Sequence, residues 1–150
     1  MRFYLDTEFN GHGGELISLA LVSPEGPEFY AAKTIDPPAD PWALQHVFTV
    51  IGIRPENTLR PLIFKSHFQQ FIVRFPEAEI IADWHGDLVH FLQLLQGPTF
   101  DSTLSYQCTL KIINTPDGEP VSEIPHNALA DARALMKWYE AQSMERKSNV

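Results

Sequence analysis

Arg2-Phe3-Tyr4-Leu5-Asp6-Thr7-Glu8-Phe9 is the stretch on which the fold turns. Arg2 to Asp6 reads as a strand, yet two acids stand two residues apart at its apolar end. In a strand, side chains i and i+2 share a face, so the carboxylates of Asp6 and Glu8 point the same way. Adjacent like charges repel, and aspartate is a poor strand former. Two readings are open: the strand exits into solvent at this point, or a divalent cation lies between the acids and removes the repulsion. Hard oxygen donors of this kind suit magnesium or manganese.

Outward from this strand, Glu15 to Val22 and Glu28 to Lys33 read as two more, set off by Gly11-His12-Gly13-Gly14 and Pro24-Glu25-Gly26-Pro27. Three consecutive strands with short connections imply an antiparallel meander. Pro41-Trp42 opens a short helix expected to end near Gly52. Arg60 to Phe75 is expected to be helical, with Leu62, Ile63, Phe64, Phe68, Phe71, Ile72 and Phe75 on a wide apolar face. Glu79 to Ala82 is short and apolar, as a buried strand is, and a helix from Gly86 to Gln96 stops at Gly97-Pro98. Leu104 to Ile113 is read as the fifth strand, Asn114 to Pro125 as an exposed loop, and Asn127 to Gln142 as the last helix. Ser143 to Val150 is a polar tail expected to fray. Strands first, then alternating helix and strand, indicate an α/β mixed sheet with helices packed on it. Trp42 and Trp138 are expected in the core.

The 150 residues suit a single domain, 1–150. No window approaches the roughly 20 apolar residues that span a bilayer, so no membrane partner is expected. An acidic residue interrupts the apolar N-terminal stretch, unlike a secretory signal, and the expected location is cytoplasmic. The single cysteine, Cys108, excludes an internal disulfide framework and a cysteine-only metal cluster. A net charge of −8 argues against a broad electrostatic grip on nucleic acid. It leaves room for capture of a few phosphates by cations held on carboxylates.

Three more residues stand out. Asp87 shares a helical stripe with Phe91, Leu94 and Leu95, so it either faces the sheet or caps the helix N-terminus. Asp83, nearer the strand end, competes for the same role. Asp131 lies on the stripe of Ala128, Leu135 and Trp138. Asn127 is the better cap there, so a buried Asp131 needs a cation or a structural ion pair. His126 precedes that helix, after the loop, where it can swing over a site that includes Asp131.

Taken together, these motifs resemble the DEDDh exonucleases, a branch of the ribonuclease-H-like superfamily. Asp6-Thr7-Glu8-Phe9 resembles the first motif, Asp87 with its apolar helix the second, and His126-Asn127-Ala128-Leu129-Ala130-Asp131-Ala132 the third. They occur in the family's order over nearly the whole chain. Tyr4 to Phe9 followed by Glu15-Leu16-Ile17-Ser18-Leu19 is similar to a compact subgroup that includes a mycobacterial polyadenylate-specific exoribonuclease. The second motif, Ala82-Asp83-Trp84-His85-Gly86-Asp87, departs from the pattern by lacking an Asn upstream of the Asp.

The resemblance implies a ribonuclease-H-like mixed five-stranded sheet and a 3′–5′ exoribonuclease acting on single-stranded RNA 3′ ends, as a homodimer. It further implies two Mg2+ ions, with Mn2+ able to substitute, held by Asp6, Glu8, Asp87 and Asp131, and His126 as general base, a role suited to a side chain that titrates near neutral pH. The products would be 5′-nucleoside monophosphates. Thr7, Phe9, Glu15, Trp84 and His85 are the candidate substrate contacts: Glu15 for a ribose hydroxyl, Trp84 and His85 for base stacking. Alternatives in other classes are a non-catalytic nucleotide- or RNA-binding module, an interaction domain using the Leu62–Phe75 face, and an exonuclease on DNA or short oligonucleotides.

Overall fold

Alternation along the first strand divides the molecule into two layers. In the computed structural model, which describes residues 1–36, 39–51, 58–97 and 103–148, β1 runs from Arg2 to Phe9. Phe3 and Leu5 face one side of the sheet and Tyr4 the other, and all three are fully buried. A strand buried on both faces sits in the middle of its sheet. The order is β3-β2-β1-β4-β5, with β2 at Leu16–Val22, β3 at Glu28–Ala32, β4 at Ala78–Ala82 and β5 at Cys108–Ile112. β1, β2 and β3 form the antiparallel meander, whereas β1 pairs with β4, and β4 with β5, in parallel. With helices on the sheet, this is the mixed α/β, ribonuclease-H-like architecture.

One layer packs α3 (Pro61–Ile72) and α4 (His85–Leu95) onto Phe3, Leu5, Leu19, Leu21 and Ile80 through Phe64, Phe68, Ile72 and Phe91. Pro61 opens α3 at the position where its missing N–H has no intrahelical acceptor to lose. The apolar face of α3 is narrower than the sequence suggests: Leu62 is 81% exposed and Ile63 is also exposed. Only the i, i+4, i+7 and i+8 positions from Phe64 reach the sheet. On the other face, α5 (Ala128–Ser148) lays Ala128, Ala132 and Leu135 against Tyr4, Ala20, Val22 and Ile81. Alanines at the contact let this helix approach closely. α5 continues to Ser148, past the expected end at Gln142.

The short helical segment begins with α1 (Pro41–Ala43), continues through a π-helical turn, Leu44–Phe48, and closes with α2 (Thr49–Ile51). Asp40 caps it, its Oδ1 accepting from Trp42 N–H at 2.9 Å. Trp42 is not core: it is 49% exposed, because the segment buries Ala43 and Val47 instead. Trp138 is half-buried. The expected helix end near Gly52, Pro98 and the chain beyond Ser148 lie outside the described residues. Among the described residues no helix is long and apolar enough to cross a membrane.

Candidate metal centre

β1 is longer than its apolar run, and this decides where the acids lie. The strand carries on to Phe9, held by β2 through Asp6↔Ala20, Glu8↔Ser18 and Phe9↔Leu16, with a bulge between Glu8 and Phe9. Asp6 and Glu8 are therefore interior strand residues on the Tyr4 face, toward α5, and do not exit into solvent. On its other edge β1 pairs with β4 only as far as Tyr4↔Ile81. β4 ends at Ala82 and the chain turns away into α4. That divergence opens a crevice beyond the carboxyl ends of two parallel strands, the usual place for a site in an α/β sheet.

Asp83 and Asp87 enter the crevice from the β4–α4 side, and Asp131 enters from α5. Single oxygens of Asp6, Asp83 and Asp87 lie within 4.8 Å of one another, and so do single oxygens of Asp6, Glu8 and Asp131. Asp6 belongs to both sets. A cavity of about 200 Å³ adjoins them, lined by Asp6, Asp83, Glu119, Ser122, Asp131 and Leu135 among others.

Each acid is held differently. Asp87 is 2% exposed at the third position of α4, while Trp84 occupies the cap position. Its Oδ1 accepts from Thr7 Oγ1 at 2.7 Å, so it faces the sheet and does not cap the helix. Asp83 is no mere rival of Asp87, since both approach Asp6. Asp131 Oδ2 accepts from the backbone N–H of His126 at 3.0 Å, while its Oδ1 is buried without a partner. Asn127 caps α5 as expected, its Oδ1 accepting from Ala130 N–H at 3.1 Å. Among the described residues no lysine or arginine forms an ion pair with Asp6, Glu8, Asp83, Asp87 or Asp131, and only the charge of His126 acts favourably on Asp131.

The electrostatic consequence is uniform. Burial, then the charges of Asp87, Glu8, Asp131 and Asp83, push Asp6 well above the ordinary carboxylate range. Burial followed by Asp131 and Asp87 raises Glu8 from 4.5 to about 8. Burial raises Asp87 to about 7 against the opposing Thr7 hydrogen bond. Burial likewise raises Asp83 and Asp131, the latter opposed by hydrogen bonds from Ser122 and the His126 N–H. Five acids that resist ionisation together, with Asp6 Oδ2 and Asp131 Oδ1 buried and unpartnered, form a site with strong demand for positive charge. An all-oxygen donor set fits hard divalent cations such as Mg2+ or Mn2+.

His126 adopts a left-handed backbone, φ 65°, at the entry to α5. Its ring lies edge-on to Trp42 at 5.0 Å and to His46 at 5.8 Å. Neither neighbour was legible as part of the site; a tryptophan and a histidine four residues apart on one helix face were the available signal. Thr7 is buried and its hydroxyl is engaged by Asp87. Phe9 stacks on Trp84 at 5.0 Å and on His90 at 5.7 Å. Gly86 is required beside them: a Cβ there would stand 1.7 Å from the Trp84 ring. His85 is exposed, and Glu15 pairs with the buried Lys33.

Fold and site thus define a class: a ribonuclease-H-like α/β chain whose crevice gathers carboxylates able to hold divalent cations. No family model matches the chain. Two proteins named 3′–5′ exoribonuclease, from two strains of Mycobacterium tuberculosis, are each 47% identical to it over 51 residues. The matched stretch covers 31% of this chain and 30% of each relative, so less than a third of the length of these curated relatives is spanned.

Proposed function

We propose that the protein is a metal-dependent 3′–5′ exoribonuclease that removes 5′-nucleoside monophosphates from single-stranded RNA 3′ ends. The observation that carries this is the pair of carboxylate sets sharing Asp6, beside His126. The partial relatives' names and the resemblance of the three motifs to DEDDh exonucleases support the substrate class, and the homodimer follows from the resemblance alone. Asp6, Asp83 and Asp87 would hold one divalent cation, and Asp6, Glu8 and Asp131 a second. Such ions, when bound, lower the pKa of water and neutralise charge on a phosphodiester.

The protein's own groups supply the rest. His126 takes the proton from the water that attacks the terminal phosphorus; the bond from phosphorus to the 3′ oxygen of the preceding nucleotide breaks, and that oxygen keeps the electron pair and takes a proton from solvent to become the new 3′ hydroxyl. The hydrogen bond from His126 N–H to Asp131 ties the base to a residue of the second carboxylate set. Trp42 and His46 flank the ring edge-on. An RNA 3′ terminus would enter at the crevice beyond the ends of β1 and β4.

The test is incubation of end-labelled single-stranded RNA and DNA with Mg2+ or Mn2+, followed by resolution of the products. Stepwise mononucleotide release from the RNA 3′ end is expected. Cleavage confined to DNA would move the substrate, and absence of cleavage with either metal would leave a binding module.

A further inference from the structure

We propose that Thr7 is a positioning residue whose hydroxyl fixes Asp87 as a metal ligand, across the strand from the acids it serves. This inference rests on the metal-binding part of the proposed function. Strand alternation puts Asp6 and Glu8 on one face of β1 and Thr7 on the other, in line with Phe3 and Leu5. That line is otherwise core, and Thr7 itself is 4% exposed. A hydroxyl buried on an apolar stripe needs a partner.

Asp87 presents the same anomaly from the other element. It heads the stripe of Phe91 and Leu95 on α4, both of which pack into the core beneath β1. The two polar side chains, each at the end of its own apolar stripe, meet at 2.7 Å between Thr7 Oγ1 and Asp87 Oδ1. The bond ties together two elements 80 residues apart, so it sets the position of the α4 carboxylate relative to Asp6, the immediate neighbour of Thr7 in sequence. A hydroxyl that donates to one oxygen of a ligating carboxylate orients the group and leaves the other lone pairs for the cation. Loss of such partners lowers metal affinity by about 10–100-fold where measured.

Among the described residues, no strand side chain donates a hydrogen bond of this kind to Asp83. It lies in the turn after β4, and the side chain that opposes the effect of burial on it is Thr115, in the segment beyond β5. The β1 hydroxyl therefore distinguishes the two aspartates: Asp87 is anchored to the central strand and Asp83 is not.

The experiment is titration of the full chain with Mn2+ alone, by calorimetry and by the electron paramagnetic resonance signal of free Mn2+. Wild type, Thr7→Ser, Thr7→Val and Asp87→Asn are compared at a temperature where each is folded. Thr7→Val is expected to weaken by about 10–100-fold the Mn2+ site to which Asp87 contributes, with Thr7→Ser close to wild type. In an Asp87→Asn background, Thr7→Val should change Mn2+ affinity no further, a readout that a packing role would not produce. Thr7→Ala removes the same hydroxyl if the valine variant does not fold. Wild-type Mn2+ affinity retained in Thr7→Val, with only its melting temperature lowered, would overturn the role of Thr7 alone. Absence of Mn2+ binding by the wild type would remove the proposed function and this inference with it.

Discussion

Glu8→Gln, a change that removes one charge and almost no volume, should stabilise the metal-free protein and destabilise the metal-loaded one. Glu8 is 7% exposed, and burial with the charges of Asp131 and Asp87 raises it from 4.5 to about 8. A carboxyl raised in the folded state favours folding when protonated, and that advantage is lost as pH climbs from the unfolded value through the folded one. Each unit of separation is about 1.4 kcal/mol. At about pH 5 the ionisation penalty on Glu8 is then under about 1 kcal/mol, and at about pH 7 it reaches roughly 3 kcal/mol. Glutamine carries no such penalty, so Glu8→Gln should raise the melting temperature of the metal-free protein by about 6–12 °C near neutral pH, and by little near pH 5. Saturating Mg2+ rewards the ionised carboxylate and should reverse the order of the two proteins. Differential scanning calorimetry of both, in chelator and in Mg2+ at each pH, reads the four cases. A Glu8→Gln effect that is the same at both pH values, or an order unchanged by Mg2+, would refute the reasoning that burial and mutual repulsion of these carboxylates drive cation binding here.

The remaining predictions concern the rest of the crevice and its support. Asp87→Asn should abolish RNA cleavage, while Asp83→Asn should retain much of it; a 3′-end release assay in Mg2+ that gave the reverse would exchange their ranks. Gly86→Ala should displace the Trp84 ring, since the added Cβ would meet it at 1.7 Å, and should alter tryptophan fluorescence and lower stability by roughly 1–3 kcal/mol. Phe68→Ala empties a fully buried site between α3 and the sheet and should lower unfolding free energy by about 3–5 kcal/mol in urea titration.

Much of the fold and part of the site could be read from periodicity. Turn residues between short runs marked β1, β2 and β3, and apolar stripes at helical spacing marked α3 and α4 to within a few residues and the start of α5, whose end at Ser148 lies past the expected Gln142. Apolar character does not by itself say which side chains a neighbouring element will cover. Leu62 and Ile63 are as apolar as their neighbours, yet helical spacing turns them away from the stripe of Phe64, Phe68, Phe71 and Ile72 that meets the sheet, and both are exposed. Trp42 looks like core by composition, but α1 turns Ala43 inward instead.

The acids divide in the same way. Asp6, Glu8, Asp87 and Asp131 were legible because an acid on an otherwise buried face is costly wherever the chain folds, and that cost is a property of each element alone. Tertiary structure decided which acids meet. β4 stops at Ala82 while β1, still paired to β2, runs on to Phe9. The gap this leaves admits Asp83 as well as Asp87, and sends Thr7 through the sheet to a different partner from its neighbours Asp6 and Glu8. The sequence alone determined that Asp6, Thr7 and Glu8 alternate across a strand. Only the relative lengths of β1 and β4, fixed by packing of α4 on the sheet, determined what each of the three would touch.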